Sequence, residues 1–204
     1  MKFRLHPILA PFFLFLAFTG GLSYYALIFI SLLLHEAGHL IAARMCGMSV
    51  QSCTIMPYGG ELRIHNRFMH GKMQRIFVAI SGPLATMMVL LLAMVFSFPG
   101  DEQVVHIQFA ILLINLLPIL PLDGGQAISA LLETADKKYE VRTGYLLFSI
   151  FALLFSIAFM SFRMPETILF LLLALFLLSQ NVSAFQFRKY EQAYEKLIRK
   201  QLTP

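Results

Sequence analysis

The segment His35-Glu36-Ala37-Gly38-His39 carries the residues of this sequence that are best suited to metal chemistry. On a helix, His35 and His39 stand one turn apart on one face, so both imidazoles can reach one zinc ion. Glu36 lies beside them and is placed to take a proton from a water molecule at the metal. The spacing therefore predicts a hydrolytic site with one zinc ion per chain.

This motif lies inside sequence of membrane-spanning composition. The stretch from Leu22 to Leu34 contains no charged residue. Between Leu22 and Arg44, Glu36 is the only Asp, Glu, Lys or Arg. Ionisable groups are costly within a bilayer, so such a cluster indicates a functional site by default. Two alternatives are a buried polar cluster that holds helices together and the ion site of a transporter.

The composition indicates an integral membrane protein. Hydrophobic residues make up 58% of the 204 residues, more than in a typical soluble domain. The net charge is +5, but the basic residues cluster at the ends of apolar runs, which favours membrane topology over nucleic-acid binding. Two cysteines imply no disulfide framework.

Charge-free runs predict an all-α polytopic fold with six transmembrane helices. Gly20-Gly21 divides the first long run, which is too long for one span. The six spans form one domain over residues 1–187, and residues 188–204 form a basic amphipathic tail with the stripe of an interfacial helix. The predicted spans are about 6–20, 22–46, 76–98, 104–122, 143–162 and 167–187.

The distribution of basic residues predicts that both termini are cytoplasmic. With six spans, every Lys and Arg except Arg163 falls on one side of the membrane, whereas five spans would move Lys2 and Arg4 to the other side. The N-terminus resembles a signal peptide, but cleavage would leave the zinc motif close to the new terminus. An uncleaved anchor is the preferred interpretation.

The connection over residues 47–75 contains a predicted β-hairpin or loop. Leu62 and Ile64 alternate with polar residues after Gly59-Gly60, which is typical of a hairpin strand. The segment is apolar enough to associate with the membrane surface. We expect this short membrane-associated element between spans 2 and 3.

A catalytic zinc ion needs a third protein ligand, and elimination favours Asp123. Of the 11 acidic residues, nine lie in polar connections or in the tail, and Glu36 belongs to the motif. Asp123 ends an apolar run in which Pro118 and Pro121 break the helix, which lets a carboxylate turn inward. The alternative for Asp123 is an ordinary turn residue before Gly124-Gly125.

These motifs together resemble the site-2 protease family of intramembrane zinc metalloproteases, known as M50. The resemblance is carried by H-E-A-G-H, by N-L-L-P-I-L-P-L-D-G-G from Asn115 onward, by Ser81-Gly82-Pro83 and by M-P-Y-G-G from Met56 onward. It implies zinc ligands at His35, His39 and Asp123 and a catalytic base at Glu36. It also implies a substrate-contacting role for Asn115 and for a second set within residues 47–75, namely Pro57, Tyr58, Gly59 and Gly60. For Asn115, a hydrogen bond between helices is an equal alternative on the sequence alone.

Within that family, the compact six-span plan resembles the stage IV sporulation protein FB group. The resemblance implies removal of a pro-sequence from a membrane-associated sigma-factor precursor, in the mother-cell-derived membrane around the forespore. The resemblance is compatible with membrane-embedded inhibitory partners, and it does not indicate an oligomeric state. Members of the group usually continue into a nucleotide-sensing CBS domain, but this sequence stops at Pro204, and we expect neither a CBS nor a PDZ domain.

Two functions other than proteolysis are compatible with the same metal ligands. One is transport of zinc or another divalent cation, and the other is a membrane scaffold without catalysis. Glu36 argues against both, because neither needs a base beside the ligands.

Overall fold

The structure is a computed structural model in which two compact units are distinguished, Met1–Leu116 (unit 1) and Leu117–Pro204 (unit 2). The described residues are 2–5, 7, 9–56, 59–64, 70–134 and 137–202.

The described residues of unit 1 form four helices. Gly20 separates the first two with a left-handed backbone (φ 76°), and Gly47 follows the second with φ 70°. Glycine adopts this conformation at little steric cost, so these turns require it. The helices are α1 Leu9–Thr19, α2 Leu22–Met45, α3 Lys72–Val95 and α4 Asp101–Asn115.

A three-stranded sheet completes unit 1, in the order β1 (Lys2–Leu5), β2 (Val50–Met56) and β3 (Gly59–Ile64). Strands β2 and β3 pair antiparallel where the sequence predicts a hairpin. Strand β1 pairs parallel with β2 and was not predicted, because its partner lies far along the sequence.

The core of unit 1 joins α2, α3 and the sheet. Ala42 and Ala43 of α2 pack against Val78 of α3 and Met48, and partly buried residues of both long strands cover this cluster. The small alanines allow α2 and α3 to approach closely. The sheet is therefore anchored to the C-terminal end of the helix that carries the zinc motif.

The described part of unit 2 contains a turn over residues 117–122 and three helices, α5 Asp123–Leu132, α6 Lys138–Ser161 and α7 Ile168–Leu202. Its core forms where Leu153 of α6 meets Ala174 and Leu177 of α7.

Among the described residues, four helices are long and apolar enough to cross a membrane: α2, α3, α6 and α7 as far as Tyr194. Helices α1 and α4 have 11 and 15 residues, against the roughly 20 that one crossing needs. The structure does not confirm the predicted six spans.

Two predicted span boundaries differ from the observed helices. The helix within the predicted span 104–122 is shorter than that span, because α4 ends at Asn115 and a new helix begins at Asp123. Pro118 and Pro121 account for the break, since proline cannot donate a helical hydrogen bond. At the other end of unit 2, α7 continues beyond residue 187 without a break, into the predicted tail.

Candidate metal centre

The two histidines of the motif are brought together in the interior of unit 1. The His35 and His39 side chains are 3% and 8% exposed, and their Nε2 atoms lie 3.2 Å apart. Two nitrogen ligands of a tetrahedral zinc ion, each at about 2.0–2.1 Å, lie about 3.3 Å from each other. The observed separation fits a pair of zinc ligands.

The opposite ring nitrogens hold the imidazoles in the orientation that zinc requires. His39 Nδ1 lies 2.7 Å from the Val78 carbonyl oxygen. A carbonyl oxygen only accepts, so Nδ1–H donates and the Nε2 lone pair is left for a metal. His35 Nδ1 lies 2.9 Å from Oγ1 of Thr86, which is fully buried. Such outer partners orient metal-binding histidines and raise their basicity.

Helix α3 passes so close to the imidazoles that position 82 requires glycine. A Cβ atom there would overlap His39 Nε2 and would lie 2.8 Å from His35 Nε2. Gly38 plays the matching role on α2, since its Cβ would lie 2.5 Å from the Ser81 carbonyl oxygen. The donor set, the separation of its atoms and the cradle at Gly82 together fit a bound zinc ion.

Glu36 follows His35 on α2 and is partly buried. Its negative charge acts electrostatically on a residue of the sheet. Burial raises the pKa of the Cys53 thiol on β2, and the negative charge of Glu36 raises that pKa further. The base predicted from the motif therefore lies within electrostatic range of strand β2.

Asp123 is a buried residue at the start of α5, directly after the turn that ends the apolar run. Its predicted role as the third ligand stays a prediction, because the two histidines belong to unit 1 and Asp123 to unit 2.

The turn before Asp123 is held by three side chains that sequence reasoning missed. Asn181 Nδ2 donates to the Leu120 carbonyl oxygen at 2.5 Å, and the Tyr145 hydroxyl donates to the Pro118 carbonyl oxygen at 3.0 Å. The Leu120 amide donates to Ser149 Oγ at 3.2 Å. Non-helical backbone at membrane depth needs such partners. A polar residue such as Asn181 within an apolar helix was the available signal.

The structure describes three of the five predicted substrate contacts, Asn115, Gly59 and Gly60. Asn115 is the last residue of α4, and its Nδ2 donates to the Ile111 carbonyl oxygen at 3.0 Å, within its own helix. Gly59 and Gly60 begin β3 and pair with β2. Pro57 and Tyr58 lie outside the described residues.

Comparison with known proteins finds one matching family and several relatives of this chain. The model of Peptidase family M50 matches residues 23–104, which include the zinc motif and all of α3. A zinc metalloprotease of Methanocaldococcus jannaschii is 28% identical over 154 residues, covering 66% of this chain and 42% of that protein. Stage IV sporulation protein FB of Bacillus subtilis is 26% identical over 137 residues, covering 63% of this chain and 46% of that protein. The chain thus spans less than half the length of these relatives.

The fold also matches a solved structure, the site-2 protease from Methanocaldococcus jannaschii. The TM-score is 0.67 at 21% identity, over 90% of each chain. The match shows a site-2 protease fold. Together with the sequence matches, it confirms the predicted resemblance to the site-2 protease family and the prediction of an integral membrane protein with zinc as its cofactor.

Proposed function

We propose that this protein is a zinc-dependent intramembrane endopeptidase that cleaves a membrane-associated substrate in or near the cytoplasmic half of the bilayer. The observation that carries the proposal is the His35–His39 pair. Its Nε2 atoms lie 3.2 Å apart within an apolar helix, and each Nδ1 atom has a buried partner. The relative named as a zinc metalloprotease supports the same chemistry.

His35 and His39 would hold the zinc ion, with Asp123 as the third protein ligand. A bound zinc ion supplies a Lewis acid, which polarises the scissile carbonyl and makes water more acidic. Glu36 accepts the proton of the attacking water and delivers it to the leaving amine. Thr86 and the Val78 carbonyl hold the imidazoles in place during both proton transfers.

Strand β3 is the element best suited to present the substrate. It lies at one end of the sheet order, so its outer edge has unpaired backbone groups among the described strands. A helical substrate hides its carbonyls in its own hydrogen bonds and must unwind before cleavage. An edge strand offers replacement hydrogen bonds to the extended segment. Gly59 and Gly60 begin this strand. Pro57 and Tyr58, which precede them in the sequence, and Asn115 are the other proposed substrate contacts.

We further propose a membrane topology and a substrate class for this protein. The protein crosses the membrane six times, with α1 and α4 as short spans and both termini in the cytoplasm. Its substrate is a sporulation sigma-factor precursor that loses a pro-sequence, and its location is the membrane around the forespore. The similarity to stage IV sporulation protein FB supports this substrate class.

The test of the function is co-expression of the chain with a membrane-tethered sigma-factor precursor, scored for a shorter product. We expect wild type to produce it and Glu36→Gln to lose about 10²–10⁴ in rate, because an amide cannot accept the proton. Bound zinc, measured on purified protein, stays at the wild-type level in this variant. Near-wild-type cleavage by Glu36→Gln would refute the assignment of the base.

The same variant separates proteolysis from the two rival functions. A cation transporter would carry zinc into proteoliposomes and would yield no shorter product. A scaffold would show neither activity. Cleavage that depends on Glu36 is expected only of the protease.

A further inference from the structure

A buried hydrogen bond joins α4 to the helix that carries the zinc motif. Gln108 Nε2 of α4 donates to Ser31 Oγ of α2 at 2.9 Å. The two side chains are 1% and 4% exposed. The other buried residues of α4 are Ile107 and Ile111, so Gln108 is the polar member of an otherwise apolar buried face. Neither residue of the bonded pair is among the zinc ligands or the proposed substrate contacts.

This bond leaves part of the hydrogen-bonding capacity of the pair unused. Gln108 Oε1 is buried and has no hydrogen-bond partner among the described residues. Ser31 accepts the bond from Nε2, so its hydroxyl keeps its own hydrogen to donate. Buried polar side-chain atoms in folded proteins nearly always have a partner, which is a protein group or an ordered water molecule. The pair therefore requires a small ligand that can donate to Oε1.

Water is the ligand that suits this pair best. It both donates and accepts, so one molecule donates to Gln108 Oε1 and accepts from the Ser31 hydroxyl. In the reverse orientation of the amide, Ser31 donates to Oε1 and the same water accepts from Nε2. The peptide group of a substrate would reach these two side chains only if the helices separated, because both side chains are buried.

The position of the pair on α2 relates it to the zinc motif. Ser31 lies four residues before His35 on the same face of the helix, about 6 Å along its axis. The sheet packs against the other, C-terminal end of α2. Ser31 is the only polar residue from Ala26 to Leu34, so the nearest polar side chain along α2 is that of His35. A water molecule held by the pair is thus closer to the zinc motif than to the polar end of the helix.

We propose that Ser31 and Gln108 bind a water molecule inside the membrane-spanning part of unit 1 and deliver it to the zinc site. Hydrolysis breaks the peptide C–N bond and forms a C–O bond with one water molecule. The oxygen and one hydrogen of that water enter the new carboxyl group, and its other hydrogen goes to the leaving amine. A water held one helical turn away replaces the one consumed without crossing apolar sequence. The delivery rests on the proposed proteolytic function, whereas the binding of water does not.

Solid-state NMR of the zinc-loaded chain in liposomes tests the binding. The experiment measures the transfer of magnetisation from water to the side-chain amides of isotope-labelled glutamine, and the Gln108 signal is identified by its loss in Gln108→Met. We expect transfer to buried Gln108 to be about as strong as transfer to Gln103, which is exposed on the same helix. Absence of transfer to Gln108 in the wild type would overturn the water site.

Ser31→Ala removes one of the two groups that hold the water. We expect it to weaken the transfer to Gln108 by roughly threefold or more, because a buried water needs at least two polar partners. The matched control is Ser156→Ala, which removes a serine hydroxyl that donates to the Ala152 carbonyl oxygen within α6. This control is expected to leave the Gln108 signal unchanged. Equal signals in both variants would show that Ser31 holds no water, which would overturn the site.

Cleavage kinetics test the delivery of water. Gln108→Met has a side chain of similar size that cannot bind water in place of the amide, so we expect kcat to fall by roughly tenfold. Bound zinc and KM are expected to stay at the wild-type values, because Gln108 contacts neither metal nor substrate. The matched control is Gln103→Met, an exposed position of α4 at which kcat should not change. An unchanged kcat in Gln108→Met would overturn the delivery role.

Ser31→Ala covers the case in which Gln108→Met does not fold, as judged by thermal unfolding. Alanine is the better helix former, so this variant retains α2. We expect its kcat to fall by about threefold with bound zinc unchanged. A kcat equal to that of wild type would again overturn the delivery role. A wild type that cleaves no precursor would count against the proposed function, whereas the NMR measurement decides the water site by itself.

Discussion

At the scale of single residues, the hydrogen bonds of the two imidazoles assign the chemistry most directly. His39 Nδ1 must donate to the Val78 carbonyl oxygen, which leaves its Nε2 available to a metal. Thr86 is the corresponding partner of His35. A helical H-E-x-x-H spacing brings the two imidazoles near each other, but these outer contacts determine which nitrogen faces the ion.

Asp123 is the predicted third zinc ligand. We expect Asp123→Ala to lose activity and much of its bound zinc, because a third ligand is removed. Zinc would be measured on protein purified in detergent. The matched control is Glu166→Ala, which removes an exposed carboxylate from the turn between α6 and α7 of the same unit. Wild-type zinc in Asp123→Ala would show that another residue is the third ligand.

At the scale of elements, the approach of α3 to the zinc helix depends on single glycines. Position 82 has no room for a methyl group beside the imidazoles, and Gly38 meets the backbone of α3 at Ser81. Small residues at these two positions permit the close packing of α2 and α3.

We therefore expect Gly82→Ala to weaken zinc binding by roughly tenfold or more, because the new methyl group displaces the two Nε2 atoms. Competition with a chelator would measure the affinity. Gly144→Ala is the matched control, since a Cβ at this helical position meets nothing within 4 Å. Alanine is also the better helix former there. Equal zinc affinity in both variants would contradict the cradle at Gly82.

The turn before α5 is the second element that depends on distant side chains. Asn181→Ala leaves the Leu120 carbonyl oxygen without its donor, which costs about 1–3 kcal/mol. The buried Asn181 Oδ1 has no hydrogen-bond partner among the described residues, so its removal offsets part of that cost.

We expect a lower melting temperature for Asn181→Ala, by a few degrees. Thermal unfolding in detergent would be compared with Ser179→Ala, whose exposed hydroxyl donates to the Phe176 carbonyl oxygen of its own helix. A shift as small as that of the control would mean that Asn181 does not stabilise the turn.

At the scale of the whole molecule, topology decides which compartment supplies water and substrate. The distribution of Lys and Arg predicts cytoplasmic termini and cytoplasmic connections at 47–75 and 133–142. It also predicts that the segments 99–103 and 163–166 face outward.

Single cysteines at Gln103 and Lys138, in a background without Cys46 and Cys53, would test this topology. A membrane-impermeant thiol reagent on intact cells is expected to label position 103 and not position 138, because only the outward segment is accessible. Permeabilised cells serve as the control and should label both positions. Labelling of position 138 alone on intact cells would invert the topology and remove the case for a cytosolic substrate.

The sequence alone identified the zinc motif, the helix break before Asp123 and the β2–β3 hairpin. Each of these depends on local chemistry. Helical spacing brings His35 and His39 together, proline ends α4, and alternation after Gly59-Gly60 forms a strand. The resemblance to site-2 proteases followed from the same motifs, and the family and sequence matches bear it out together with the fold match.

Only the tertiary structure revealed the partners that these local features acquire. Thr86, Val78 and Gly82 approach the imidazoles from a helix about forty to fifty residues away in sequence. Asn181 reaches a turn sixty-one positions before it, and β1 pairs with a strand about fifty positions after it. Hydrophobic periodicity indicates which face of a helix is buried, but not which segment covers that face. Such long-range contacts are decided when the segments pack together.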